Sequence, residues 1–88
     1  MKNAMTDKDI KALLDAAEVK VETSFGKCTT VWVKLENGFV LCESSACVDP
    51  ANYDEALGRE LCMKRIEDRL WELEGYALQK ALFERGKG

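Results

Sequence analysis

From Tyr53 to Glu84 the chain has no proline, and Gly58 and Gly75 are its only weak points as a helix. Cys62, Ile66, Leu70, Leu73, Ala77 and Ala81 recur at helical spacing, and Trp71, Leu78 and Leu82 form a second stripe beside them. Glu55–Arg59 and Glu60–Lys64 add i,i+4 pairs on the polar side. A single helix over this stretch is ~45–50 Å long. The rest of the chain offers only short strands, each spanning ~24 Å, and a small sheet cannot cover such a rod. The C-terminal half, apolar on two sides, therefore needs another partner. Self-association through the helix is the economical answer; fraying of its last two turns is the alternative.

The strands are read from period-two alternation. Val19 and Val21 alternate with Lys20 and Glu22, and Ser24–Lys27, holding Gly26, makes the first turn. Thr29, Val31, Val33 and Leu35 alternate with Thr30, Trp32, Lys34 and Glu36. Asn37-Gly38 signals a two-residue hairpin, whose two central positions need φ > 0, and Phe39–Ser45 returns antiparallel. That closure sets Glu36 opposite Phe39, Leu35 opposite Val40, Val33 opposite Cys42 and Val31 opposite Ser44. Leu35, Val40, Val33, Cys42 and Val31 then share the core face. A three-residue first loop brings Val19 and Val21 to that face and a two-residue loop does not, so the pattern favours the longer loop. The other face carries Trp32, Phe39 and Leu41 among Lys34, Glu36 and Glu43. It is either a contact surface or the seat of the first helix. The same register puts Cys28 opposite Cys47, as two small apolar fillers rather than a disulfide in a reducing compartment.

The ends and junctions follow from capping chemistry. Met1–Met5 is a loose tip. Thr6 with Asp9 three residues on makes a variant capping box for a short helix whose apolar face is Ile10, Leu13, Leu14 and Ala17, ending near Ala17 or Glu18. Asp49-Pro50 ends the sheet and can open a single helical turn capped by Asp49. Asn52 with Glu55 is a cap candidate for the long helix, and residues 86–88 are a loose tail. The expectation is one α+β domain over residues 1–88, flexible at 1–5 and 86–88: a short N-terminal helix, a three-stranded antiparallel meander, and a long C-terminal helix packed on the sheet.

Composition excludes more than it assigns. Thirteen basic against sixteen acidic residues give a net charge of -3 and no basic stripe, which argues against a nucleic-acid partner. No apolar run is long enough for a bilayer, and the first residues lack the apolar core of a signal peptide, so no membrane partner and a cytoplasmic location are expected. Cys28, Cys42, Cys47 and Cys62 contain no CxxC pair, and the chain has no histidine. A structural zinc site usually needs two close ligand pairs. No metal and no cofactor is expected, and the thiols read as reduced, mostly buried fillers.

The strand-to-helix turn admits three chemistries and one reading that needs none. The helix start could hold an anion or a small nucleotide, with Ser44, Ser45, Asn52 and Tyr53 nearby and Arg59 one turn in. Asp49, Asp54 and Glu55 oppose this, because they already neutralise that end of the helix. Nucleophilic catalysis by Cys47 or Ser45 lacks an imidazole base, with Glu43 the only substitute. A cluster of Glu43, Asp49 and Asp54 matches no calcium loop. With no catalytic constellation, the reading is a non-enzymatic interaction protein. Its interface residues are Trp32, Phe39, Leu41, Trp71, Leu78 and Leu82, with Tyr53 and Tyr76 as further aromatic anchors.

One resemblance covers most of the chain. Phe25-Gly26-Lys27, Asn37-Gly38-Phe39, the run Glu43-Ser44-Ser45-Ala46-Cys47-Val48-Asp49-Pro50, then Asn52-Tyr53-Asp54, Gly58 and Trp71-Glu72-Leu73-Glu74-Gly75-Tyr76 resemble the gene-product forty-nine/sixty-six family of small tailed-phage proteins. The likeness runs roughly from Thr6 to Gln79. It implies a phage or prophage accessory protein made in a bacterial cytoplasm, and it carries over no catalytic residues. Together with the apolar surplus it gives an expectation: a homo-oligomer acting on a host protein in host takeover. The alternatives are a nucleotide-sequestering protein with an inter-subunit pocket near Ser44–Arg59, and a virion structural component.

Overall fold

The computed structural model describes residues 3–86. Helix α1 (Asp7–Asp15) is followed by strands β1 (Glu18–Ser24), β2 (Cys28–Lys34) and β3 (Val40–Ala46), a single 3-10 turn (Pro50–Asn52) and helix α2 (Glu55–Gly86). The sheet is an antiparallel meander in the order β1-β2-β3. No described helix is long and apolar enough to cross a membrane.

Local chemistry sets the boundaries. The Thr6 hydroxyl accepts from the Asp9 amide at 3.3 Å while the Asp9 carboxylate accepts from the Thr6 amide at 2.9 Å, closing the capping box. The Asp49 carboxylate accepts from the Ala51 amide at 2.9 Å, with proline at the first position of the 3-10 turn. The cap of α2 is Asp54, not Asn52: its carboxylate accepts from the Leu57 amide at 3.2 Å. Asn52 is used up inside the preceding turn.

The first hairpin has the longer loop that the pattern favours, with Val19 opposite Val33 and Val21 opposite Val31. Phe25 and Gly26 both have positive φ, 56° and 66°. For a phenylalanine that conformation costs roughly 1–2 kcal/mol, and its ring is 90% exposed at the hairpin tip.

The second hairpin departs from the expected register by one residue. Lys34 faces Val40, Val33 faces Leu41, Trp32 faces Cys42, Val31 faces Glu43 and Thr30 faces Ser44. Asn37 does not take a positive φ; Gly38 alone does in this loop, at 95°. The loop has three residues between Leu35 and Phe39, closed by the Gly38 amide on the Leu35 carbonyl at 2.9 Å and the Leu35 amide on the Phe39 carbonyl at 2.8 Å. This is the type I turn with a left-handed glycine that makes a bulged hairpin. The slip reverses every β3 side chain. Leu41 is buried in the core, whereas Val40 and Cys42 are exposed on the open face. Cys28 consequently faces Ala46, and the Cys47 amide bonds the Lys27 carbonyl at 3.0 Å.

The core is one layer deep. Ile10 of α1, Val31, Val33, Leu35 and Leu41 of the sheet, and Cys62, Ile66 and Leu70 of α2 are buried together. Both helices therefore lie on the same face, and α1 leaves the other face open. Met5 packs against this core and Gly86 closes α2; the remaining residues of the expected loose ends, 1–2 and 87–88, lie outside the described residues.

Every buried residue of α2 lies between Gly58 and Leu70, so the helix runs on well past the sheet. The molecule measures 58 × 20 × 19 Å, with a radius of gyration of 16.2 Å. A compact chain of this length has about 12 Å. On the overhang, Leu73 is 41% and Tyr76 69% exposed.

Candidate functional site

The junction between β3 and α2 is built around the Tyr53 hydroxyl. It lies 2.6 Å from the hydroxyl of Thr29, which is fully buried, and 2.9 Å from that of Thr23. The Thr23 hydroxyl also reaches Glu55 at 3.4 Å. This bridge ties β1 and β2 to the start of α2. Gly58 makes the approach close: a Cβ there would sit 2.5 Å from the Thr29 hydroxyl oxygen. The Cys62 thiol, one turn on, lies 3.7 Å from the Thr29 carbonyl. Burial pushes this thiol above its ordinary value, with Arg65 opposing the shift and Glu43 and Cys42 adding to it.

Beside the bridge is a cleft of about 140 Å³, lined among others by Lys27, Ser45, Cys47, Asn52, Tyr53 and Asp54. Of the five ligand candidates read from sequence, Ser45, Asn52 and Tyr53 meet here. Ser44 and Arg59 do not. Ser44 lies on the opposite face because of the register slip, and Arg59 points to solvent. The Cys47 sulfur sits 3.3 Å from the Asp49 carbonyl and 3.6 Å from that of Lys27. Glu43, the only base suggested for Cys47 or Ser45, does not line the cleft; it pairs with Arg69 at 3.3 Å. Glu43, Asp49 and Asp54 are not gathered around one point: among the described residues no three acidic or thiol groups are placed to share a metal ion. Asp49 and Asp54 instead accept from the free amides at the start of their own helical turns.

The six interface candidates separate into distinct places. Leu41 is 1% exposed and belongs to the core, so it cannot meet a partner. Trp32 is half-buried on the open face with the Lys20 ammonium 5.1 Å from its ring centre. Phe39 is 48% exposed and lines a cleft with Leu35, Leu70 and Leu73 at the helix side. Trp71 packs partly against the core, and Leu78 and Leu82 sit half-buried on the overhang. Sequence reasoning missed Arg65 and Arg69. Their i,i+4 spacing beside the buried Ile66 and Leu70 was the available signal, since it sets both cations along one rim of the buried stripe.

A family model, Phage protein (N4 Gp49/phage Sf6 gene 66) family, matches residues 3–82. The chain belongs to this family. The span matched takes in both hairpins, the Tyr53 bridge, the cleft and α2 as far as Leu82. Comparison with curated proteins and with solved structures returns no match.

Proposed function

We propose that this phage-family chain is a non-enzymatic interaction protein, acting as a homo-oligomer on a host factor in the cytoplasm of the infected bacterium. The overhang of α2 carries the reading. Some four turns of helix extend beyond the last buried residue, Leu70, and keep Leu73 and Tyr76 exposed. A helix with apolar residues on two sides and no sheet beneath it is a surface for another chain. The test is the double substitution Leu78→Glu with Leu82→Glu. Self-association or affinity for the host factor should fall at least about tenfold, with the melting temperature within a few degrees of the parent. Unchanged association and unchanged binding would remove the overhang from the function.

A nucleotide-sequestering role draws on Ser45, Asn52 and Tyr53 meeting in one cleft. At about 140 Å³ that cleft is well short of the ~300 Å³ at which small-molecule sites begin, so a second copy would have to complete it. A thermal-shift panel of nucleotides separates the readings: a raised Tm favours sequestration, a flat panel the protein partner.

A further inference from the structure

The two edges of the meander are finished differently. On β3 the carbonyls of Cys42 and Ser44 point out of the sheet, and α2 covers both. Arg65 donates to the Ser44 carbonyl at 2.7 Å, and Arg69 to that of Cys42 at 3.3 Å. On β1 nothing comparable is present among the described residues. The Leu35 amide bonds towards β3, so alternation along β2 turns Lys34, Trp32, Thr30 and Cys28 towards β1. Their partners Glu18, Lys20, Glu22 and Ser24 face inward, which leaves the main chain of Val19, Val21 and Thr23 directed outward. Among the described residues no hydrogen bond reaches those outward groups. A bare edge of this length is ready to add a strand.

We propose that β1 is the seam of a homodimer, in which two copies of the strand pair antiparallel about a two-fold axis at Val21 and merge two three-stranded meanders into one sheet. This deepens the oligomeric part of the proposed function and rests on it. The occupant is a second copy because the strand is complementary to itself. The outward groups of Val19, Val21 and Thr23 must meet their equivalents, so the two-fold axis passes through a residue. Centred on Lys20, two ammonium groups face each other; centred on Glu22, two carboxylates do. Centred on Val19 or Thr23, only about three residues a side overlap. Centred on Val21, every residue from Glu18 to Ser24 finds a counterpart. Lys20 then faces the partner's Glu22 and Glu22 the partner's Lys20. On the helix side Val19, 39% exposed in the single copy, meets the partner's Thr23. About six main-chain hydrogen bonds close the seam.

Sedimentation of the full chain and three variants tests this. The parent should dimerise. Val21→Pro should be monomeric with an unchanged circular dichroism spectrum, because an outward amide contributes no bond inside the protomer. Should that variant fail to fold, the charges decide alone, since Lys20 and Glu22 side chains are 72% and 53% exposed. Lys20→Glu should weaken the dimer roughly tenfold or more, by placing carboxylates opposite carboxylates at two positions. Lys20→Glu with Glu22→Lys should restore the parent affinity within about threefold. A dimer indifferent to all the variants, or a double variant no tighter than Lys20→Glu, overturns the seam and leaves the oligomeric reading standing. A parent that stays monomeric at every concentration overturns both.

Discussion

Gly58 matters for the space it leaves rather than for its backbone freedom. In an exposed helix, glycine to alanine gains up to ~1 kcal/mol. Here the added methyl would press on Thr29, whose hydroxyl is fixed by Tyr53 and whose side chain is fully buried. Gly58→Ala should therefore destabilise the fold, by about 1–3 kcal/mol in urea unfolding. Adding Thr29→Ala should recover part of that loss, because the two sites share one contact; strict additivity would show that the contact is not the cause. Cys62 offers a second residue-scale test. Its thiol is held above the ordinary value, so the folded state keeps that proton more tightly than the unfolded chain. The stabilisation is complete below the ordinary thiol pKa, ~8.5, and is lost as pH rises through the folded value. Between those two values the urea midpoint of the parent should fall faster with pH than that of Cys62→Ala. Parallel slopes would refute the assignment.

At the scale of elements, β3 shows where sequence reasoning works and where it stops. Strand existence, the first loop's length, the Thr6 and Asp49 caps and the length of α2 all follow from local rules that act within a few residues. The register of the second hairpin does not. Asn37-Gly38 fits both a two-residue loop and a three-residue bulged loop; the second takes Glu36 out of the strand into the turn and leaves Asn37 without a positive φ. The strand pattern could not arbitrate, because Val40 and Cys42 on one side and Leu41 on the other each make a plausible core row. What selects Leu41 is non-local: its larger side chain fills the space under Ile66 and Leu70, and Glu43, brought to the helix side by that choice, finds Arg69. The cleft inherited the error, which is why Ser45 belongs to it and Ser44 does not. Arg65 and Arg69 then hold the rim of the same strand. Replacing both by alanine should cost less than about 1 kcal/mol, since such exposed contacts are weak. It should nonetheless raise concentration-dependent light scattering, because two edge carbonyls lose their cover. A variant as soluble as the parent would mean that β3 is guarded by something else.

For the whole molecule, stability and reach are separable along α2. The buried cluster draws on Cys62, Ile66 and Leu70 from this helix, with Met63 and Trp71 packed at its edge, while the 58 Å long axis depends on the turns that follow. Ending the chain after Gly75 should therefore leave a cooperatively melting protein. Its Tm should lie within about 5 °C of the full chain, the shift that roughly 1 kcal/mol produces in a domain of this size. The sedimentation coefficient should report a rounder particle. If the overhang is the binding surface, host-factor binding disappears in the same truncation while the β1 seam still pairs. A loss of cooperative unfolding would instead make the distal turns part of the fold, and their apolar side chains would no longer need another chain to explain them.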